Sequence, residues 1–182
     1  DLEPPAQFEL PDSATVDRIS VEGKSLPRPY RFEAGRDGRW AITSPVQWPA
    51  NVHALGNILS QLQLLRREIC FPVSQIEARG LSLADYGLAD PSLKLSVGSA
   101  DKDYVFEIGA RTQIGQRVYM LSPKGDLIIV APDELLELLS TDIEQLRAPT
   151  IFTVPTFEVR GLSIRIAEGD GAQAGASAQR VG

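Results

Sequence analysis

The chain is expected to be an α+β protein of two tandem related modules, each an antiparallel meander followed by an amphipathic helix, with a closing C-terminal strand. Three features predict this. Apolar residues alternate at period two in two separate blocks, each block gives way to a three-to-four spacing, and the pattern returns after roughly 75 residues. That distance is too long for a solenoid repeat and suits two modules side by side.

In the first block, Ile19 and Val21 share one face while Arg18, Ser20 and Glu22 take the other, as in a half-buried strand. Tyr30 and Phe32 repeat the alternation, and Trp40 and Ile42 continue it beyond the Gly35–Gly38 turn until Pro45. Proline lacks an N–H and fixes φ, so sheet pairing stops there. After Asn51, a fitting N-cap, Val52, Leu55, Leu59, Leu62, Leu65 or Arg66, and Ile69 recur every three to four residues. This spacing predicts an amphipathic helix of about 17 residues.

The second block opens with Gly-Leu-Ser-Leu-Ala-Asp-Tyr-Gly-Leu at 80–88, where Ser82 suits the cap of a short helical turn and Gly87 its left-handed end. Leu93, Leu95 and Val97 then mark one strand; Tyr104, Phe106 and Ile108 mark a second. Val118 with Met120 and Ile128 with Val130 mark two more, joined by Pro123-Lys124-Gly125-Asp126. Pro132, Asp133 and Glu134 suit a helix N-terminus, and Leu135, Leu136, Leu138 and Leu139 supply its buried stripe. Thr141-Asp142-Ile143-Glu144 reads as a capping box, so the helix should break near Ser140 and a short second helix should end near Arg147. Phe157, Val159, Leu162, Ile164 and Ile166 read as the closing strand, which would cover an otherwise open apolar edge. The expected organisation is an extended linker over 1–15, a first module over 16–79, a second with the closing strand over 80–168, and a flexible tail over 169–182.

Composition narrows the function classes. A net charge of −6 and a pI near 4.9 oppose the broad cationic surface that nucleic acid or an anionic membrane face requires. One histidine and one cysteine leave no material for the commonest zinc sites or an internal disulfide. No stretch approaches the roughly 20 apolar residues of a membrane span. The chain opens on Asp-Leu-Glu-Pro-Pro-Ala without an initiator Met, and an upstream segment is therefore expected.

Trp40-Ala41-Ile42-Thr43-Ser44-Pro45, Tyr86-Gly87-Leu88-Ala89-Asp90-Pro91, Phe106-Glu107-Ile108-Gly109, Val118-Tyr119 and Leu146-Arg147, in that order and spacing, resemble a bacterial domain-of-unknown-function family. The likeness covers about residues 16–166, with Tyr-Gly-Leu-x-x-Pro its most specific piece. It implies an N-terminal membrane anchor ahead of this segment, an extracytoplasmic α+β region at the inner membrane, and association of some members with gliding-type ABC transporter components. It implies no catalytic residues. The Pro27/Pro29 loop is a departure from the family pattern.

Candidate chemistry is sparse. His53 falls in the first helical turn without an orienting partner in any nearby motif, which favours an exposed polar role over a general base. Cys70 sits in Ile69-Cys70-Phe71, an apolar context for an inert thiol. Asp101-Lys102-Asp103 reads as a hairpin tip rather than a calcium loop. Glu134, Glu137, Asp142 and Glu144 form an acidic helical surface explained by solvation and the helix dipole, and only secondarily as paired carboxylates of a hydrolase.

The candidate binding residues are the aromatics Tyr30, Trp40 and Trp48, which could stack a sugar ring or anchor a protein, against a role in core packing. The leading expectation is a non-enzymatic extracytoplasmic interaction domain of a membrane-anchored envelope protein, auxiliary to an ABC-type transport or gliding system. It would need no cofactor and no metal, and its partners would be envelope proteins. A polysaccharide- or peptidoglycan-binding module is the alternative.

Overall fold

The first strands follow the alternation. In the computed structural model, which describes residues 8–149, β1 (Arg18–Gly23), β2 (Tyr30–Ala34), β3 (Trp40–Ser44) and β4 (Trp48–Pro49) form an antiparallel meander. Ile19, Val21, Phe32 and Ile42 are fully buried on one face, while Arg18, Glu22, Arg31 and Glu33 occupy the other. β4, absent from the alternation pattern, lies beyond a cis Ser44–Pro45 bond and places Trp48 opposite Ile42.

Asn51 caps α1 (Val52–Leu64), its carboxamide oxygen accepting from the backbone N–H of His53 and of Ala54. Leu55, Ile58 and Leu62 are its buried stripe. The helix stops at Leu64 and tightens into a 3₁₀ turn over Leu65–Arg67, so the final residue of the expected stripe, Ile69, starts a strand instead. That strand, β5 (Ile69–Pro72), is followed by α2 (Val73–Glu77) and a 3₁₀ turn at Leu83–Tyr86. The turn is closed as expected, by a Ser82–Asp85 capping box in front and Gly87 at φ +69° behind.

A second meander follows: β6 (Leu93–Ser99), β7 (Lys102–Arg111), β8 (Arg117–Leu121) and β9 (Leu127–Pro132). α3 (Asp133–Leu139) and α4 (Ile143–Leu146) complete the described chain. The break falls at Ser140 as read, but the cap of α4 is Asp142 rather than Thr141, its carboxylate accepting from the Glu144 N–H.

The two meanders share one sheet. Its order is β4-β3-β2-β1-β6-β7-β8-β9-β5, all pairs antiparallel, and the seam is the full-length pairing of β1 with β6 from Arg18↔Gly98 to Gly23↔Leu93. β5 follows α1 in sequence yet pairs with β9 at the far edge. One core serves both meanders, running from Ile19 and Phe32 through Leu95, Phe106 and Met120 to Ala131 beneath α1 and α3, which pack together. On the opposite face, among the described residues, α2 and the 80–88 turn cover the second meander and bury Ile76, Leu88, Leu121 and Ile128. This two-sided burial explains why β9 lacks a clean alternation: Ile129 and Ala131 face the helices while Ile128 faces the second cluster. The structure is thus α+β. The expected closing strand and C-terminal tail lie outside the described residues.

Candidate functional site

Tyr30 starts β2 on the helix-bearing face and is only 3% exposed. Its ring meets Phe32 edge-on at 5.5 Å, its hydroxyl donates to the Leu139 carbonyl at 2.8 Å, and burial pushes the phenol far above its ordinary pKa. Tyr30 is therefore a core residue, tying β2 to the end of α3, and offers no open ring face. Trp40 is half-buried against the same core. Trp48, also half-buried, donates from Nε1 to the Ala148 carbonyl at 3.0 Å and carries the Arg147 guanidinium 4.0 Å from its ring centroid. Among the described residues no ring–ring contact links Tyr30, Trp40 and Trp48, so the structure does not assemble them into one stacking platform.

The surroundings of Trp48 are polar but already engaged. The chain leaving α4 pairs with the end of β4: Ala148 N–H donates to the Pro49 carbonyl at 2.8 Å and Asn51 N–H to the Leu146 carbonyl at 2.8 Å. The Asn51 side chain caps α1 with its oxygen and donates to the Gln145 carbonyl with its nitrogen at 3.2 Å. Arg147 grips both carboxylate oxygens of Glu144, at 2.6 and 2.7 Å. A shallow cavity of about 420 Å³ opens here, where the indole N–H, the Asn51 amide and Nη1 of Arg147 already donate to intramolecular partners.

His53 is exposed in the first turn of α1. Cys70 lies half-buried in β5, where burial raises its thiol pKa and so opposes the thiolate form. Asp103 pairs with Arg18 beside the β6–β7 hairpin tip, and no group of three or more metal-ligating side chains occurs among the described residues. Glu134, Glu137, Asp142 and Glu144 are exposed; Glu137 faces Arg111 at 3.8 Å and Glu144 is held by Arg147. An apolar-walled groove of about 280 Å³ lies between the β1–β2 loop, the Pro45 turn and α4, with Leu26, Pro27, Val46 and Ile143 on its walls.

The sequence reading missed a surface feature at the opposite end of the sheet. The β7–β8 hairpin loop carries Ile114 at its apex, 89% exposed. Gln116 at φ +48° and Gly115 at φ +90° shape the loop, and the Thr112 hydroxyl donates to the Ile114 carbonyl at 2.8 Å. Arg117, just after the loop, is ion-paired to Glu68, the residue before Ile69, which is itself 71% exposed. The available signal was a lone aliphatic residue inside Thr-Gln-Ile-Gly-Gln, where turn chemistry explains every residue but the isoleucine.

The motifs noted in the sequence are structural joints. Gly109 lies against the Tyr86 carbonyl and the Gly87 backbone, where no side chain fits. Tyr86 meets Tyr119 edge-on at 4.7 Å. Leu146 and Arg147 clamp the end of β4. The model of the domain-of-unknown-function family DUF4340 matches residues 40–181. The chain belongs to this family. The DUF4340 match starts at Trp40, the first residue of β3, and takes in the second meander with its Tyr86–Gly109–Tyr119 joint. No curated protein and no solved structure matches the chain.

Proposed function

We infer that this DUF4340 domain is a non-enzymatic, extracytoplasmic protein-docking domain of a membrane-anchored envelope protein, auxiliary to an ABC-type transport or gliding system. The observation that carries the docking role is Ile114, a large aliphatic side chain held at the apex of a hydrogen-bonded hairpin and almost wholly exposed. On this reading the Ile114 side chain, which folding leaves in water, is an anchor that a partner pocket would cover. Ile69, a second exposed aliphatic, follows Glu68, which is ion-paired to Arg117 just after the loop. The envelope location rests on the family resemblance of the sequence motifs. The protein reading is preferred to a glycan module because Trp48 Nε1, the Asn51 amide and Arg147 Nη1 already donate within the chain and the Arg147 guanidinium covers the indole ring.

The two halves are read as related modules. Each is a four-stranded meander followed by a helix on the same face, and they meet through their first strands, β1 and β6. In-cell cross-linking of the intact protein followed by mass spectrometry tests the docking role. Envelope proteins should dominate the adducts; recovery of cytoplasmic neighbours alone would overturn it.

A further inference from the structure

Residues 8–16 are attached to the fold in an unusual way. Among the described residues no backbone–backbone hydrogen bond ties residues 8–14 to another element; side chains hold them instead. Phe8 packs edge-on against Phe106 with ring centroids 6.0 Å apart, and Leu10 is buried in the main core. Between them Glu9 points outward to Lys102 and Lys124, which stand on the β6–β7 and β8–β9 hairpin tips. Arg66 donates to the Leu10 carbonyl at 2.6 Å and Gln63 to the Pro11 carbonyl at 3.0 Å. Beside this segment, the surface between Ala14 and Leu59, Gln63 and Leu64 of α1 continues as an open groove of about 490 Å³.

These contacts have the form in which an extended peptide is held on a surface. Apolar pockets receive alternate side chains, a pair of ammonium groups reads the acid between them, and two side-chain donors from α1 and the turn after it read the backbone. A ladder-bound strand would be locked by its own hydrogen bonds, whereas residues 8–14 leave the fold by giving up side-chain contacts alone, which an incoming segment with the same side chains can replace. We propose that residues 8–16 are a displaceable strap over a docking groove, and that the partner which replaces it is an extended protein segment with an apolar–acidic–apolar triplet like Phe8-Glu9-Leu10. This rests on the docking reading above and gives it a second address, separate from the Ile114 loop.

The test uses the full chain. Hydrogen exchange should show residues 8–16 opening well before β6 and β7 in the absence of denaturant. A fluorescent peptide of residues 5–16 should bind the Phe8→Ser/Leu10→Ser chain at least about tenfold tighter than wild type, whose own strap competes; the same peptide with Glu9→Lys should bind about tenfold more weakly. Strap amides protected as strongly as those of β7 would overturn the proposal. So would a folded double variant that binds neither peptide or both equally; if that variant fails to fold, exchange on the wild type decides. Loss of this proposal leaves cross-links through Ile114 intact, whereas failure of the docking reading removes those as well.

Discussion

Tyr30 shows how a candidate ligand residue turns out to be a structural bond. The phenol anchors β2 to the last carbonyls of α3, and Tyr30→Phe leaves the Leu139 oxygen without that donor. The expected loss is about 1–2 kcal/mol, read as a lower midpoint in urea with an unchanged m-value. Gly87 is a tight local constraint. It sits at φ +69°, and a Cβ there would meet the Ala110 nitrogen at 2.7 Å. Gly87→Ala should therefore cost at least about 2 kcal/mol, from left-handed strain plus the clash with β7, measured by thermal melting. The left-handed role of Gly87 was readable because only turn chemistry explains Ser-Leu-Ala-Asp-Tyr-Gly. Its contact partner was not, since Gly109 lies 22 residues further on and only the folded β7 brings it against Tyr86. The fate of Trp48 was equally hidden, because its stacking cation, Arg147, arrives from the other end of the described chain.

Elements were legible wherever one face meets water. β1, β2, β6 and β7 alternate cleanly, as does the stripe of α1, because burial on a single side imprints its period on the sequence. β5 was not legible: Ile69 continues the helical spacing of α1, and what diverts the chain is the 3₁₀ turn at Leu65–Arg67 together with the Glu68–Arg117 ion pair, a long-range event. The leading strap has the sequence of a linker, since its Pro-rich polar character conceals that Phe8 and Leu10 have a core to enter.

Glu9 gives that strap a pH dependence with a definite sign. Hydrogen bonds and charge from Lys102, then Lys124, lower its carboxyl from 4.5 to about 2 in the folded chain. A depressed folded value means the clasp contributes fully above about 4.5 and is lost as pH falls towards about 2. Exchange protection of residues 8–16, corrected for the intrinsic rate, should fall across that window relative to β6. Glu9→Gln should show reduced protection that no longer varies there.

At the scale of the molecule, the seam between β1 and β6 makes two meanders into one sheet over one core. The sequence carried the two blocks and their order, but not their edge-to-edge union, since pairing partners leave no local trace. The consequence for function is a scaffold that fixes its hairpin loops. The β7–β8 loop emerges from strands paired on both sides, so Ile114 is presented in a set direction. A side chain this exposed has little to lose on substitution, and Ile114→Asp should change the unfolding free energy, read by thermal melting, by no more than the roughly 0.5 kcal/mol typical of surface changes.

That substitution provides the most direct measurement: the yield of in-cell cross-links between the intact protein and envelope partners, wild type against Ile114→Asp, at matched expression and melting temperature. The docking account predicts that the variant loses most of those adducts while remaining folded. An undiminished adduct profile from a folded Ile114→Asp protein would contradict it.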